Sequence, residues 1–387
     1  MGKVLFKIRY LGLGGIERLT IDILNNINLK DKKIVLMLEE RNELFKGQLP
    51  KELEIVYIKS EKLQRILEYL QKNKKGNVFY KILFELLMNY EKIHMANNIN
   101  KYIEENKNIK IFIDYSGSAT KYIDKIKCKY KIYWSHLGLG NISESKRKRL
   151  LKRLNNYDYI IAICKEMERE LKDNFKEISS KIKMIYNFID ENKIEKKLNE
   201  DKKLQEELSK ERYCVSVGRL TEPKDYETTI KAFKILKEKG IKEKLFIIGD
   251  GRLKEKLNDL IKSEHLEEQV FLLGAKDNPY IYMKYADLFL HSSNLEGFPM
   301  VFLESMYIDT PIISSNFKTG ACELIEKEKN GEIFKIGNYK EFADKIEKLL
   351  SDEKLRKEYS EKSKKFVKKF YIENILKEYE KLIESLN

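Results

Sequence analysis

Short apolar runs recur along the whole chain, each followed by a glycine or polar turn and then an amphipathic stretch. In the first half they are KVLFKIRY (3–10), KIVLML (33–38), EIVYIK (54–59), IKIFIDY (109–115), KIYWSH (131–136), DYIIAI (158–163) and IKMIY (182–186). Helical patterns lie between most of them: Ile16, Leu19, Ile23 and Ile27 recur at spacings of three and four, which keeps them on one helix face. Region 61–105 predicts two helices around a break at Lys74–Gly76. The second half repeats the theme with YCVSVG (213–218), KLFIIG (244–249), QVFLLG (269–274), DLFLHS (287–292), PIISS (311–315) and GEIFKI (331–336), and residues 338–387 predict helix almost throughout. Strands alternating with helices of this length predict parallel sheets joined by crossover helices.

The strip ENKIEKKLNEDKKLQEELSKER (191–212) has few apolar residues and no strand pattern, so it marks the domain boundary. The fold class is therefore α/β, with two Rossmann-like, doubly wound parallel-sheet domains. They cover residues 1–190 and 213–370, with 191–212 as linker and a C-terminal helix over 371–387 placed to pack back on the N-terminal domain. In this architecture the ligand is expected outside the carboxyl ends of the strands, in the cleft between the domains.

A length of 387 residues and a hydrophobic fraction of 42% supply material for two cores and exclude a disordered chain. No apolar run approaches the roughly 18 residues of a membrane span. The start, MGKVLFKIRYLGLGGIERL, lacks the shape of a signal peptide, so a cytoplasmic protein is expected. The four cysteines, at 128, 164, 214 and 322, form no CxxC pair, and buried structural thiols are expected rather than a disulfide framework or zinc site. Charge is uneven. Residues 1–190 carry 38 Lys/Arg against 24 Asp/Glu, whereas residues 191–387 carry 38 of each. The whole net charge of +14 thus lies in the first half, which predicts an anionic partner there.

Four segments carry candidate chemistry. Gly12-Leu13-Gly14-Gly15-Ile16-Glu17 follows the first strand and opens the first helix, where bare backbone N–H groups and the helix dipole favour an anion. A dinucleotide fingerprint competes for this segment, with Glu39 or Glu40 at the end of the second strand, but Glu17 fills its third small position and two extra residues separate strand from glycine. In Val217-Gly218-Arg219-Leu220-Thr221-Glu222-Pro223-Lys224, a guanidinium at a strand end and an ammonium ahead of a helix supply positive charge for a diphosphate leaving group. Gly249-Asp250-Gly251-Arg252 is a glycine turn of the kind that cradles a phosphate or passes close to a base. In Glu296-Gly297-Phe298-Pro299-Met300-Val301-Phe302-Leu303-Glu304, Pro299 suits a first helical turn. Glu296 and Gly297 then lie in the entering loop, and Glu304 about one and a half turns in.

This last segment resembles the E-x7-E motif of the retaining GT-B nucleotide-sugar glycosyltransferases numbered family four. Other motifs agree in order: GGIER resembles the family's first-domain glycine loop, MIYNFID (184–190) its interdomain strand, with Phe188 and Ile189 departing from its Asn-Gly-Val-Asp, VGRLTEPKDYETTIKAF its Arg/Lys loop and LFIIGDG its nucleotide-side turn. The resemblance implies a GT-B fold and a hexose or N-acetylhexosamine transferred from a nucleotide diphosphate sugar, with UDP favoured, to a lipid-linked or polysaccharide acceptor in cell-surface glycan synthesis. It implies that Arg219 and Lys224 bind the donor diphosphate, that Glu304 binds the ribose, that Glu296 with the backbone of Gly297, Phe298, Pro299 and Met300 holds the donor sugar, that Gly251 lies on the nucleotide side, and that Gly14 and Gly15 face phosphate or acceptor. His136, in Trp134-Ser135-His136, falls where the family often has a histidine near the transferred sugar. Glu296, His136, Arg219 and Lys224 make up the expected catalytic set. The implied mechanism is a front-face displacement in which the leaving phosphate accepts the acceptor's proton, with Glu296 as nucleophile the alternative.

No Asp-x-Asp occurs anywhere in the chain, so no cofactor and no metal are expected, two cations and a helix end taking the metal's electrostatic place. The densest basic cluster is Lys146-Arg147-Lys148-Arg149-Leu150-Leu151-Lys152-Arg153-Leu154, and Lys72, Lys74 and Lys75 form a second patch. A basic helix with an apolar edge lies readily on anionic lipid, so peripheral contact at the inner face of the membrane is expected. A nucleotide-sugar epimerase or phosphorylase of the same fold is the alternative. A basic nucleic-acid binder is disfavoured because no recognition-helix or stacking-aromatic signature is present.

Overall fold

A computed structural model describes residues 2–12, 14–41, 44–140, 142–326 and 329–386. The chain forms two compact units. One comprises residues 1–163, 167–186 and 376–387, and the other residues 164–166 and 187–375. Each of the thirteen apolar runs contains a strand.

In the first unit the strands are β1 (Gly2–Ile8), β2 (Lys32–Leu38), β3 (Glu54–Tyr57), β4 (Ile109–Asp114), β5 (Tyr130–Ser135), β6 (Tyr159–Ala162) and β7 (Ile182–Met184). They form one parallel sheet in the order β3-β2-β1-β4-β5-β6-β7. Val4 stands beside Ile34 on one side and Ile111 on the other, and the middle of the sheet is buried on both faces. That is why these runs read as continuous apolar segments rather than alternating ones. The winding reverses between β1 and β4, so the turn after β1 sits at the switch point where such sheets take ligands. Region 61–105 forms the helices Glu61–Asn73 and Val78–Glu105; Gly76, at φ 82°, makes the turn, and the Asn77 side chain caps the second helix on the Tyr80 N–H.

A charged cluster lies inside this core. Lys7 is fully buried, with its ammonium 2.5 Å from Glu39 and 3.7 Å from Asp114. Tyr122 donates to Glu39 at 3.0 Å, and Tyr157 and the Ala119 N–H donate to Asp114 at 2.8 and 3.1 Å. Burial pushes the Asp114 carboxyl up against the pull of Lys7; burial also lifts Glu39, but the adjacent ammonium overrides it and holds that carboxyl below its usual range.

The second unit contains β8 (Tyr213–Val217), β9 (Lys244–Ile248), β10 (Val270–Gly274), β11 (Leu288–His291), β12 (Ile312–Ser315) and β13 (Gly331–Phe334), parallel in the order β10-β9-β8-β11-β12-β13. Its core joins Leu245 and Ile247 of β9 to Ile230 and Phe233 of the helix Tyr226–Glu238, with Phe334 stacked on Phe342 at 4.0 Å. The reversal between β8 and β11 brings the loop after β8 beside the loop after β11.

The strip 191–212 folds as the helices Glu191–Leu198 and Lys202–Leu208 of the second unit. Ile194, Leu198 and Leu208 are buried, Asn278 donates to the Lys197 carbonyl at 2.7 Å and Tyr285 to Gln205 at 3.1 Å. Three apolar side chains suffice because polar side chains make much of this docking. At the C-terminus, the helix Ile372–Glu384 ends in the first unit, where Tyr379 stacks on Trp134 at 4.7 Å and Glu380 accepts from the Asn28 N–H at 2.8 Å. The cysteines are all free. Cys164 and Cys214 are buried and Cys128 half-buried, but Cys322 is exposed, which corrects the expectation of four buried thiols. Cys322 follows the loop-end residue Gly320 in a one-turn helix, Ala321–Leu324, too short to bury every side chain.

Lys7→Met would leave two carboxylates buried without their cation. A loss of about 3–5 kcal/mol is expected, read as a lowered denaturant midpoint; an unchanged midpoint would show the cluster to be dispensable.

Candidate active site

The sheet of the second unit presents three consecutive turns at its carboxyl edge, and their fit is tight. Gly249 adopts φ 150°, and a Cβ there would lie 1.9 Å from the Gly218 carbonyl oxygen. A Cβ on Gly251 would lie 2.4 Å from the Leu220 carbonyl oxygen. Hydrogen bonds knit the same pair of loops, from the Gly218 N–H to Ile248 and from the Leu220 N–H to Asp250, both at 2.9 Å. The glycine at 251 is thus explained by backbone packing against the 218–220 loop, a role the sequence reading did not foresee.

Past Gly218 the chain displays Arg219, which is exposed, and makes a short turn, Glu222–Lys224. Asp225 then takes the left-handed conformation at φ 47° and starts the helix Tyr226–Glu238, its carboxylate accepting from Thr228 at 2.7 Å. Ser292, just past β11, donates to the carbonyls of Lys224 and Asp225 and so fixes this turn against the next loop.

Glu296 is the centre of the site. Its Oε1 lies 2.5 Å from Lys224 Nζ, 3.0 Å from His291 Nε2 and 2.7 Å from Ser293 Oγ, while its backbone carbonyl accepts from Thr319. Burial raises this carboxyl, but the His291 hydrogen bond and the Lys224 charge outweigh it and hold Glu296 far below the usual carboxylate range, so it is ionised at neutral pH. His291 is buried among Phe302 and Phe317, at ring distances of 5.0 and 5.8 Å; burial lowers its pKa, so it is neutral and donates Nε2–H to the carboxylate. Lys224 and Glu296 cancel in charge. The positive surplus of this edge therefore comes from Arg219 and from the start of the helix Met300–Tyr307, where sequence reasoning had counted two uncompensated cations. An ammonium has three N–H groups, so Lys224 can hold Glu296 with one and offer another to a phosphate.

The stretch from 297 leads into that helix. Pro299 stands at the N-cap and has no N–H, so the backbone donors are those of Gly297, Phe298, Met300 and Val301, the last two lying in the first turn that the helix cannot pair itself. Phe298 packs on Phe370 at 5.8 Å, and Gly320 passes so close that a Cβ there would touch Pro299 at 3.1 Å. Glu304 is half-buried in the helix and accepts from the Tyr280 hydroxyl at 3.1 Å. One cluster among the described residues has metal-ligand composition, Cys164, Glu166 and Glu323, with ligand atoms within 4.8 Å of one another. Its carboxylates accept from the backbone N–H groups of Gly320 and Lys165, which ties the 164–166 segment to the 320–323 turn.

The remaining candidates belong to the first unit. Gly14 is the N-cap of the helix Gly15–Asn26, with extended backbone; a Cβ there would lie 2.2 Å from the Glu17 carboxylate, and one on Gly15 would meet nothing within 4 Å. Gly15 thus leaves open space over a helix start, whereas the Glu17 carboxylate occupies the space beside Gly14. Leu13 of the same motif lies outside the described residues. His136 follows β5, with its ring edge-on to Tyr115 at 4.6 Å. Its Nε2 is covered and has no hydrogen-bond partner among the described residues, and burial lowers its pKa to about 4. Sequence reasoning missed His291, Ser293 and Thr319. The only signal was position: HSS directly ends the strand before the Glu296 loop.

A model of the family described as "Glycosyl transferases group 1" matches residues 198–366. A Campylobacter jejuni N-acetylgalactosamine-N,N'-diacetylbacillosaminyl-diphospho-undecaprenol 4-alpha-N-acetylgalactosaminyltransferase is 30% identical over 378 residues, which cover 96% of each chain. This chain belongs to the group 1 glycosyl transferases. It is a glycosyltransferase enzyme with two Rossmann-like domains of the GT-B kind. An uncharacterised glycosyltransferase of Methanocaldococcus jannaschii is 33% identical over 258 residues, covering 59% of this chain and 63% of that protein's length. Among solved structures, HepE of Anabaena in complex with UDP-glucose superposes with a TM-score of 0.75 at 18% identity, covering 99% of this chain and all of that one.

The depressed His136 pKa has a stability consequence. Between its folded value near 4 and the ordinary 6.5, the unfolded chain binds a proton that the folded chain refuses, so stability falls as pH drops through that window and the effect ends below it. In denaturant titrations at pH 7.5 and 4.5, His136→Gln should lose less stability on acidification than the wild-type glycosyltransferase. Equal losses would place the titrating groups elsewhere.

Proposed function

We propose that the enzyme transfers a hexose or N-acetylhexosamine from a UDP-sugar, with retention, to a lipid-linked or polysaccharide acceptor in cell-surface glycan synthesis. The observation that carries this reading is the carboxylate of Glu296, fixed by Lys224, His291 and Ser293 at the mouth of a helix start and ionised at working pH. A permanently charged acceptor, held rigid on one oxygen, suits the hydroxyls of a donor sugar. With both Lys224 and His291 drawing on its charge it is a poor nucleophile, which favours the front-face displacement. In that step the bond from the anomeric carbon to the diphosphate oxygen breaks, the bond to the acceptor oxygen forms on the same face, and the acceptor proton passes to the leaving phosphate. Arg219, the second N–H of Lys224 and the N–H groups of Met300 and Val301 would carry the growing negative charge. Glu304 would take the ribose hydroxyls, Gly14 and Gly15 would face phosphate or acceptor, and His136 would lie near the transferred sugar.

Relatives support the acceptor and donor classes of this reading. The Campylobacter enzyme is named for a diphospho-undecaprenol substrate, a Bacillus subtilis relative, 27% identical over 282 residues, is a poly(glycerol-phosphate) alpha-glucosyltransferase, and HepE was solved with UDP-glucose. Peripheral contact of the basic first half with anionic membrane belongs to the same reading. No metal is required, because Arg219 and the helix start supply the charge.

A panel of nucleotide sugars read by thermal shift, followed by product analysis, tests the donor. Stabilisation by a UDP-sugar and none by NAD is expected; the reverse would overturn the reading. Arg219→Ala and Glu296→Ala should each lower turnover by about a hundredfold or more, and activity should persist in excess chelator. Full, reversible loss on chelation would bring a metal into the site.

A further inference from the structure

The helix Val78–Glu105 is apolar on two faces. Tyr80, Leu83, Phe84 and Leu87 are half-buried on the side facing the helix Glu61–Asn73. On the outer side Val78, Phe79, Ile82, Leu86, Tyr90 and Ile93 are 45–72% exposed. The spacings from 79 to 93 are three, four, four and three, so the exposed residues form one continuous stripe about 21 Å long at 1.5 Å per residue. Ile66 and Tyr69 of the preceding helix are exposed as well. Isolated exposed apolar residues are ordinary on a protein surface, but an aligned stripe of this size marks a binding face.

Charge identifies the occupant. Residues 62–81 carry Lys62, Arg65, Lys72, Lys74, Lys75 and Lys81 against a single acid, Glu68, and the tip of the hairpin, 72–81, holds four cations and no acid. Lys72, Lys75 and Lys81 are exposed, while Lys74 is half-buried with its ammonium over the Phe84 ring at 3.8 Å. An apolar stripe bordered by lysines matches the boundary between acyl chains and anionic headgroups. A second copy of the same face would bring lysine against lysine.

The basic helix singled out from sequence differs. In Glu144–Leu154, Leu154 is buried and Leu150 and Leu151 are half-buried, so no apolar edge faces out, and Arg147 and Lys148 are paired with Glu144 and Glu177. Among the described residues no helix is long and apolar enough to cross a membrane, so contact at this hairpin is interfacial.

We propose that the hairpin of Glu61–Asn73 and Val78–Glu105 docks on the surface of an anionic membrane, the Val78–Ile93 stripe entering the acyl boundary and the lysines of 72–81 meeting phosphate headgroups. The proposal rests on the reading of peripheral membrane contact given above, which it assigns to one hairpin, and not on the donor chemistry at Glu296. Flotation with vesicles of phosphatidylglycerol and phosphatidylcholine, against phosphatidylcholine alone, reads it directly. The full-length protein should bind the anionic vesicles and release with salt. Phe79→Glu, Ile82→Glu and Leu86→Glu together should weaken partitioning by at least about tenfold, and Lys72→Ala, Lys74→Ala and Lys75→Ala by roughly a hundredfold at low salt. All of these positions but Lys74 are exposed, and none belongs to the unit that contains Glu296, so thermal shift by UDP-sugar, read in the same samples, should be unchanged and keeps a failure at the membrane separate from a failure at the donor site. Equal vesicle binding by wild type and the triple glutamate variant would overturn the proposal. So would binding abolished by neutralising Lys146, Arg149 and Lys152 instead, or a dimer in light scattering that the glutamate variant dissolves while neither protein binds vesicles.

Discussion

A single carboxylate oxygen, Oε1 of Glu296, accepts from three side chains, and the arrangement of the second unit's carboxyl edge depends on it. A largely buried carboxylate is costly unless it is paired and hydrogen-bonded. Lys224 supplies the pairing from the loop after β8, His291 and Ser293 supply hydrogen bonds from the end of β11, and Thr319 anchors the same residue's carbonyl from the 316–320 turn. Segments separated by up to about a hundred residues in sequence thereby converge on one atom or its immediate neighbourhood. The charge cannot leave the pocket without undoing all of them, so the loops are organised before any substrate arrives.

The first unit contains a related arrangement with a different consequence. Lys7, Glu39 and Asp114 also bring an ammonium and carboxylates together at strand ends, but Lys7 and Asp114 are sealed from solvent and a tyrosine hydroxyl donates to each carboxylate. Such a cluster fixes the ends of β1, β2 and β4 relative to one another and has little left to offer a ligand. Glu296 and Lys224 remain partly open, at 15% and 19% side-chain exposure, which is the difference between a structural knot and a site that can take part in chemistry.

The strands were legible because both sheets are parallel and covered on two faces, so that each strand had to be an uninterrupted apolar run. The Glu296–Glu304 segment and the Arg219–Lys224 loop were legible for a different reason: charged residues and glycines directly after a buried run have few roles other than a loop at a strand's carboxyl end. His291 and Ser293 were not, since a histidine and a serine at a strand end look like ordinary polar punctuation until Glu296 folds back on them. The strip 191–212 looked like a tether because its docking relies on Asn278 and Tyr285, which lie about eighty residues away. Lys7 was visible as a lone cation inside KVLFKIRY, but its acidic partners come from β4 and from just past β2, and periodicity within one segment carries no information about them.

The crowded backbone contact of Gly249 and Gly251 with residues 218–220 bears on how this scaffold can diverge. Two loops pressed together with no side chain between them share one shape, so neither can be lengthened or exchanged by itself. Grafting the Arg219 loop from another enzyme would succeed only if the 249–251 turn were transplanted along with it, which makes the pair a single inherited module.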